Sequence, residues 1–207
     1  MAKKDCGNHG SYYRHKLYRR IFAFFLTLII LILFIILVIW LVLRPTKPKF
    51  LLQDTSIYQL NLTSGTNLLS SNLQITIYSR NPNDRIGIYY DRLDVFAKYK
   101  NEQITVATGL PTGYQGHNDV SIWSPFLSGI AVPLSPYIVD AIGEDENAGF
   151  ILIYIKIAGR LRWKVGSWIS DHYHIDVSCP AFFTVDRGNG GLTAFRFQRM
   201  TTCTVDV

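Results

Sequence analysis

The chain has 207 residues, 48% of them apolar, and a formal net charge of +6. The length suits one domain plus an accessory segment. Residues 1–43 hold six Lys and Arg against one Asp, and residues 44–207 hold fifteen against fourteen. The part long enough to fold is therefore nearly neutral, which excludes the basic face that nucleic-acid binding needs.

Residues 1–20 form a basic tail carrying Lys3, Lys4, Arg14, Lys16, Arg19 and Arg20. Residues 21–43, IFAFFLTLIILILFIILVIWLVL, carry no charge. As a helix they span about 35 Å, against about 30 Å for a bilayer core. The run has no polar face, so inside a soluble core it would need apolar partners all round. A cleaved signal peptide has a shorter apolar region and a small-residue cleavage site, whereas this run ends in Val42-Leu43-Arg44-Pro45. The reading is a retained single-pass transmembrane helix. Its N-terminal flank is the more basic, so the positive-inside rule puts the tail in the cytosol and Arg44 onward outside.

Residues 44–52 read as a stem, extended and semi-rigid through Pro45 and Pro48. Residues 53–207 read as one β-rich domain. Asn61-Leu62-Thr63 is an N-glycosylation sequon, so an outside domain would be a glycoprotein at Asn61. Leu73, Ile75 and Ile77 alternate with polar residues, as do Leu93, Val95 and Ala97. Strict alternation predicts half-buried strands. Between these two runs stands Asn81-Pro82-Asn83-Asp84, where Asn81 and Pro82 suit the first two positions of a tight turn. The chain then returns through Ile86-Gly87-Ile88-Tyr89-Tyr90-Asp91. Tyr90 shares the parity of Ile86 and Ile88, so it should point inward with its hydroxyl on a polar partner, and Tyr89 should face outward. Gly87 permits a close approach or a bulge.

Further strands are expected near 57–62, 103–108 and 120–123. Pro136 to Glu146 reads as a short helix, with Ser135 as N-cap and Pro136 as its first residue. The longest alternation, 149–164, sets Ile151, Ile153, Ile155, Ile157, Leu161 and Trp163 on one face, with Arg160, Arg162 and Lys164 on the other. Tyr173, Ile175, Val177 and Cys179 share a face in turn, and Asp186–Gly191 reads as a hairpin turn. At least seven strands separated by turn signals make an antiparallel β-sandwich. Cys179 and Cys203 can pair in an oxidising compartment, or remain two buried thiols. The disulfide is the expectation.

No sequence pattern for nucleophile activation, phosphate binding or dinucleotide binding is present, so no catalytic residue, cofactor or metal is expected. His172 and His174 share a strand face, with Asp171, Asp176 and His117 as the other ligand candidates, and read as polar residues on a wet face.

Asn81-Pro82-Asn83 followed by Gly87-Ile-Tyr-Tyr-Asp91 resembles the signature of the plant harpin-induced-like membrane proteins, which carry the late-embryogenesis-abundant group 2 (LEA-2) domain. Leu161-Arg-Trp-Lys-Val-Gly166, Ile175-Asp-Val-Ser-Cys179 and Cys203-Thr-Val-Asp206 resemble it too. The resemblance runs from about Arg19 to the end of the chain. It implies a fibronectin-like sandwich, a plant plasma-membrane location and links to defence and stress. It supplies no catalytic residue. Some relatives carry a C-terminal lipid anchor, whose hydrophobic signal the end of this sequence does not show. Two function classes follow. One is an anchored module that binds or adheres outside the cell to a protein, wall polysaccharide or lipid partner, with the row Arg160, Arg162 and Lys164 as its surface; self-association stays open. The other is a tethered carrier for lipid or another apolar ligand, which needs a cavity between the sheets.

Overall fold

The computed structural model describes residues 9–42, 44–63, 66–187 and 193–207, and within the first helix the side chains of 16–38. The chain divides into two units, Met1–Arg44 and Pro45–Val207.

In the first unit, α1 (His9–Val42) is one helix of 34 residues, so it starts inside the segment read as a tail. Its stretch Lys16–Val38 is long and apolar enough to cross a membrane, and none of it is buried. Thr27 interrupts the apolar run from Ile21 to Val38. Its hydroxyl donates back to the carbonyls of Ala23 and Phe24, at 3.0 and 2.8 Å. The helix thus satisfies its own polar side chain, as a segment without water must.

The second unit is a two-sheet antiparallel sandwich. Its elements in chain order are β1 (Lys49–Leu62), β2 (Leu68–Arg80), β3 (Ile86–Tyr99), β4 (Glu102–Gln103), β5 (Thr108–Gly109), β6 (Gly113–Gln115), β7 (Val120–Trp123), β8 (Phe126–Pro133), α2 (Pro136–Ala148), β9 (Phe150–Val165), β10 (Trp168–Ile169), β11 (Tyr173–Arg187), β12 (Thr193–Phe197), β13 (Thr201–Thr202) and β14 (Thr204–Asp206). One sheet runs β13-β1-β2-β7, with β8 also on β2. The other runs β12-β11-β9-β3-β4, with β5 and β6 on β3, β10 on β9 and β14 on β11.

The alternation in the sequence becomes the core. Phe50, Leu52, Leu73, Ile75 and Ile77 of the first sheet are fully buried, as are Ile88, Leu93, Val95, Ile153, Ile155 and Ile157 of the second. These side chains fill the space between the sheets. At about 25 cal/mol per Å² of apolar surface, this burial is the main force closing the sandwich. Gly159 lies among them because a side chain there would run into the carbonyl oxygen of Arg92, where β3 bulges between Tyr90 and Arg92.

Three details depart from the sequence reading, and a fourth lies largely outside the described residues. β1 begins at Lys49, so the stem is shorter than 44–52, and Phe50 and Leu52 already belong to the core. The strand expected over 103–108 is two short pieces. There the chain crosses between sheets, with the Ile104 amide on Ala97 O and the Val106 amide on Ser128 O. α2 forms where expected and ends on Gly149 in the left-handed region, φ 84°. Ser135, however, turns its hydroxyl to the Glu102 carboxylate at 2.6 Å and leaves the helix end uncapped by a side chain. The turn expected over 186–191 lies largely outside the described residues, although β11 and β12 pair from Arg187↔Thr193.

Candidate functional site

The corner at Asn81-Pro82-Asn83 is held by side chains rather than by the backbone bond of a tight turn. Asn81 is fully buried. Its Oδ1 accepts the Asn83 amide at 3.1 Å, an Asx-type turn, and its Nδ2 donates to Ile86 O at 2.7 Å and Gly116 O at 2.8 Å. Asn83 carries the corner further. Its Oδ1 accepts the Thr46 amide and its Nδ2 donates to Thr46 O, both at 2.8 Å. A side-chain amide thus pairs with the stem backbone as a strand would, and fixes where the chain enters the sandwich. The sequence gives no signal of this pairing, because the two residues stand 37 positions apart.

Tyr90 points inward, 4% exposed. Its ring meets Phe50 at 6.5 Å and Trp123 at 5.9 Å, so three aromatics from two sheets pack together. Its hydroxyl donates to Gln115 Oε1 at 3.1 Å and accepts from Ser79 Oγ at 3.2 Å. Gln115 Nε2 donates onward to Ser79 O at 2.9 Å and Asp119 O at 3.2 Å. Burial pushes the Tyr90 phenol up to about 12, so it stays protonated as a hydrogen-bond donor. This network is buried and internally bonded, and it is structural.

Tyr89 faces outward, and Gly87 admits a close approach: the Tyr114 ring lies over it, where any side chain would collide. The bulge falls at Asp91 instead.

The row Arg160, Arg162 and Lys164 lies on the outer face of β9, but its three members differ. Arg162 pairs with Asp91 through Nε at 2.9 Å and Nη2 at 2.6 Å, the bidentate geometry of a strong ion pair. That guanidinium holds the Asp91 carboxyl below its ordinary range. His172 Nε2 lies 3.5 Å from the same carboxylate. The Lys164 ammonium sits 5.6 Å from the Tyr89 ring centre and 5.0 Å from that of Tyr114. Arg160 is exposed, between Arg92 on β3 and His174 on β11. The pairing of Asp91 with Arg162 follows from strand register, which the sequence does not print.

Asn61 is exposed on β1, opposite Ser70. Cys179 and Cys203 form a disulfide with their Cα atoms 4.2 Å apart. Cys203 stands where the chain leaves β13 on the first sheet for β14 on the second. The bond therefore locks the edge at which the sheets meet. No group of three or more metal-ligating side chains occurs among the described residues.

These features define a helix-bearing protein with a disulfide-closed sandwich, rich in bonded corners and without a converging set of reactive groups among the described residues. A family model described as "Late embryogenesis abundant protein", LEA_2, matches residues 76–179. The chain is 46% identical over 211 residues to NDR1/HIN1-like protein 12 of Arabidopsis thaliana, covering 100% of both chains. It is 47% identical over 209 residues to NDR1/HIN1-like protein 1 of the same plant, covering 99% of this chain and 100% of that one. A solved solution structure of another Arabidopsis thaliana protein aligns with 11% identity and a TM-score of 0.40, over 72% of this chain and 89% of that one. The chain belongs to the NDR1/HIN1-like family and carries a LEA_2 domain.

Proposed function

We propose that this protein is a plasma-membrane-anchored binding module. It presents its sandwich outside the cell and acts in plant defence or stress responses, without catalysis. The observation that carries the reading is the join of an apolar, membrane-length helix to a sandwich with a packed core. The packed centre favours a binder over a carrier, because a carrier needs room between its sheets. The cleft of about 790 Å³ between β1 and β12 lies away from that centre, at the end of β1, lined by Leu60, Asn61, Glu146 and Phe195. Family membership supports the link to defence and stress.

Binding would then use the surface. Arg160 is the member of the basic row best placed to meet an acidic partner, such as wall polysaccharide, because Arg162 and Lys164 are engaged by Asp91, Tyr89 and Tyr114. The test is Arg160→Glu in the full chain, followed by salt extraction of the wall fraction. Weaker retention that converges with wild type as salt rises supports the site. Equal retention at every salt removes it.

A further inference from the structure

Asn83 holds Thr46 by two hydrogen bonds, so one end of the sandwich is defined as the end where the chain enters. Thr46 stands four positions after Val42, the last residue of α1. An extended chain covers at most about 14 Å over four residues. Strand register shows what else lies at this end. Ile86 pairs with Val165, Val165 pairs with Trp168, and Lys49 pairs with Arg80.

Two apolar features therefore share the entry end. One is the hairpin after β9, where Trp168 is 63% and Ile169 41% exposed. The other is a groove of about 330 Å³ lined by Leu51, Tyr78 and Met200 between Lys49 and Arg80. Exposed Lys49, Arg80 and Arg85 supply cations beside them. The acids nearby, Asp84 and Asp171, accept hydrogen bonds from the Asn118 side-chain amide at 2.6 Å and the His172 backbone amide at 2.8 Å. Those bonds do not cancel their charge, so the three cations outnumber them by one. An exposed tryptophan with an adjacent exposed aliphatic residue, on the end of the sandwich that also carries Lys49, Arg80 and Arg85, matches the chemistry of a lipid headgroup layer. The indole favours that depth, and the cations pair with phosphate oxygens.

We infer that the entry end of the sandwich is a bilayer-contact face, and that Trp168 and Ile169 enter the headgroup layer of the membrane that holds the helix. The inference rests on the anchoring proposed above. The contact would restrict how far the domain tilts on its short stem, and so fix which surface it shows to partners.

The test uses the full chain with Cys6→Ser, reconstituted in phosphatidylcholine vesicles with or without phosphatidylglycerol. One environment-sensitive fluorophore is attached at Trp168→Cys, at Ser167→Cys, or at Ile130→Cys. Ile130 is 86% exposed and lies on β8 near the far end of β2, where Leu68 pairs with Pro133. The hairpin labels should show blue-shifted emission and be quenched severalfold more than the Ile130 label by lipids carrying a shallow nitroxide. The effect should grow with phosphatidylglycerol. Two hairpin labels guard against one variant misfolding. Hairpin labels as water-exposed and unquenched as the Ile130 label, on protein that floats with vesicles after an alkaline wash, overturn the contact face alone. Protein that does not float overturns the anchoring as well.

Discussion

Asn83 does more than turn the chain. Both ends of its side-chain amide are satisfied by one stem residue, and its Nδ2 also donates to Asn81 Oδ1 at 2.9 Å. Asn83→Ala should cost roughly 1–3 kcal/mol, because the buried Asn81 and the Thr46 backbone lose their bonds. Denaturant unfolding would measure this, and amide exchange should speed up at Thr46. The Asp91–Arg162 pair makes a second prediction. Its folded-state carboxyl titrates below the ordinary range, so its stabilisation is present above the unfolded value and is lost as pH falls through the folded one. Asp91→Asn should lower the melting temperature at neutral pH. Its deficit should narrow below about pH 4, the usual carboxylate value. A deficit that stays constant to low pH would mean the charge does not matter. At this scale the sequence was partly legible. The inward parity of Tyr90 could be read from alternation. The Thr46 partner could not, since it depends on how distant segments meet.

Among the elements, β9 and the terminal strands carry the architecture. Gly159 is the place where β9 passes the bulged β3, and Gly159→Ala should cost about 1–3 kcal/mol by overpacking. The terminal segment is different, because little backbone pairing holds it: β13 has two residues and β14 three. The Cys179–Cys203 bond spans 24 residues, and removing it should cost about 3–4 kcal/mol in the chain-entropy account. The Cys203→Ser variant should unfold at lower denaturant than wild type, and equal midpoints would count against the lock. β2, β3, β9 and β11 announced themselves by period two, whereas the first half of β1 did not, because its two register shifts break the alternation. The crossing near Ile104 did not, because residues that bond alternately to two sheets leave no single period.

For the whole molecule, the central claim is that a membrane helix displays a packed sandwich outside the cell for binding. The sandwich class was legible because strict alternation and turn residues agreed along the chain. The split of the basic row into one exposed and two engaged cations was not, because it depends on which strands neighbour β9. Exposed Asn61 gives one handle on sidedness: an outside domain should gain a glycan there, seen as a mobility shift on glycosidase treatment that Asn61→Gln abolishes. The most direct measurement is protease protection on sealed plant cells expressing the chain with one epitope at each end. The account predicts loss of the C-terminal epitope from intact cells while the N-terminal epitope survives until the membrane is permeabilised. Survival of the C-terminal epitope with loss of the N-terminal one would contradict it.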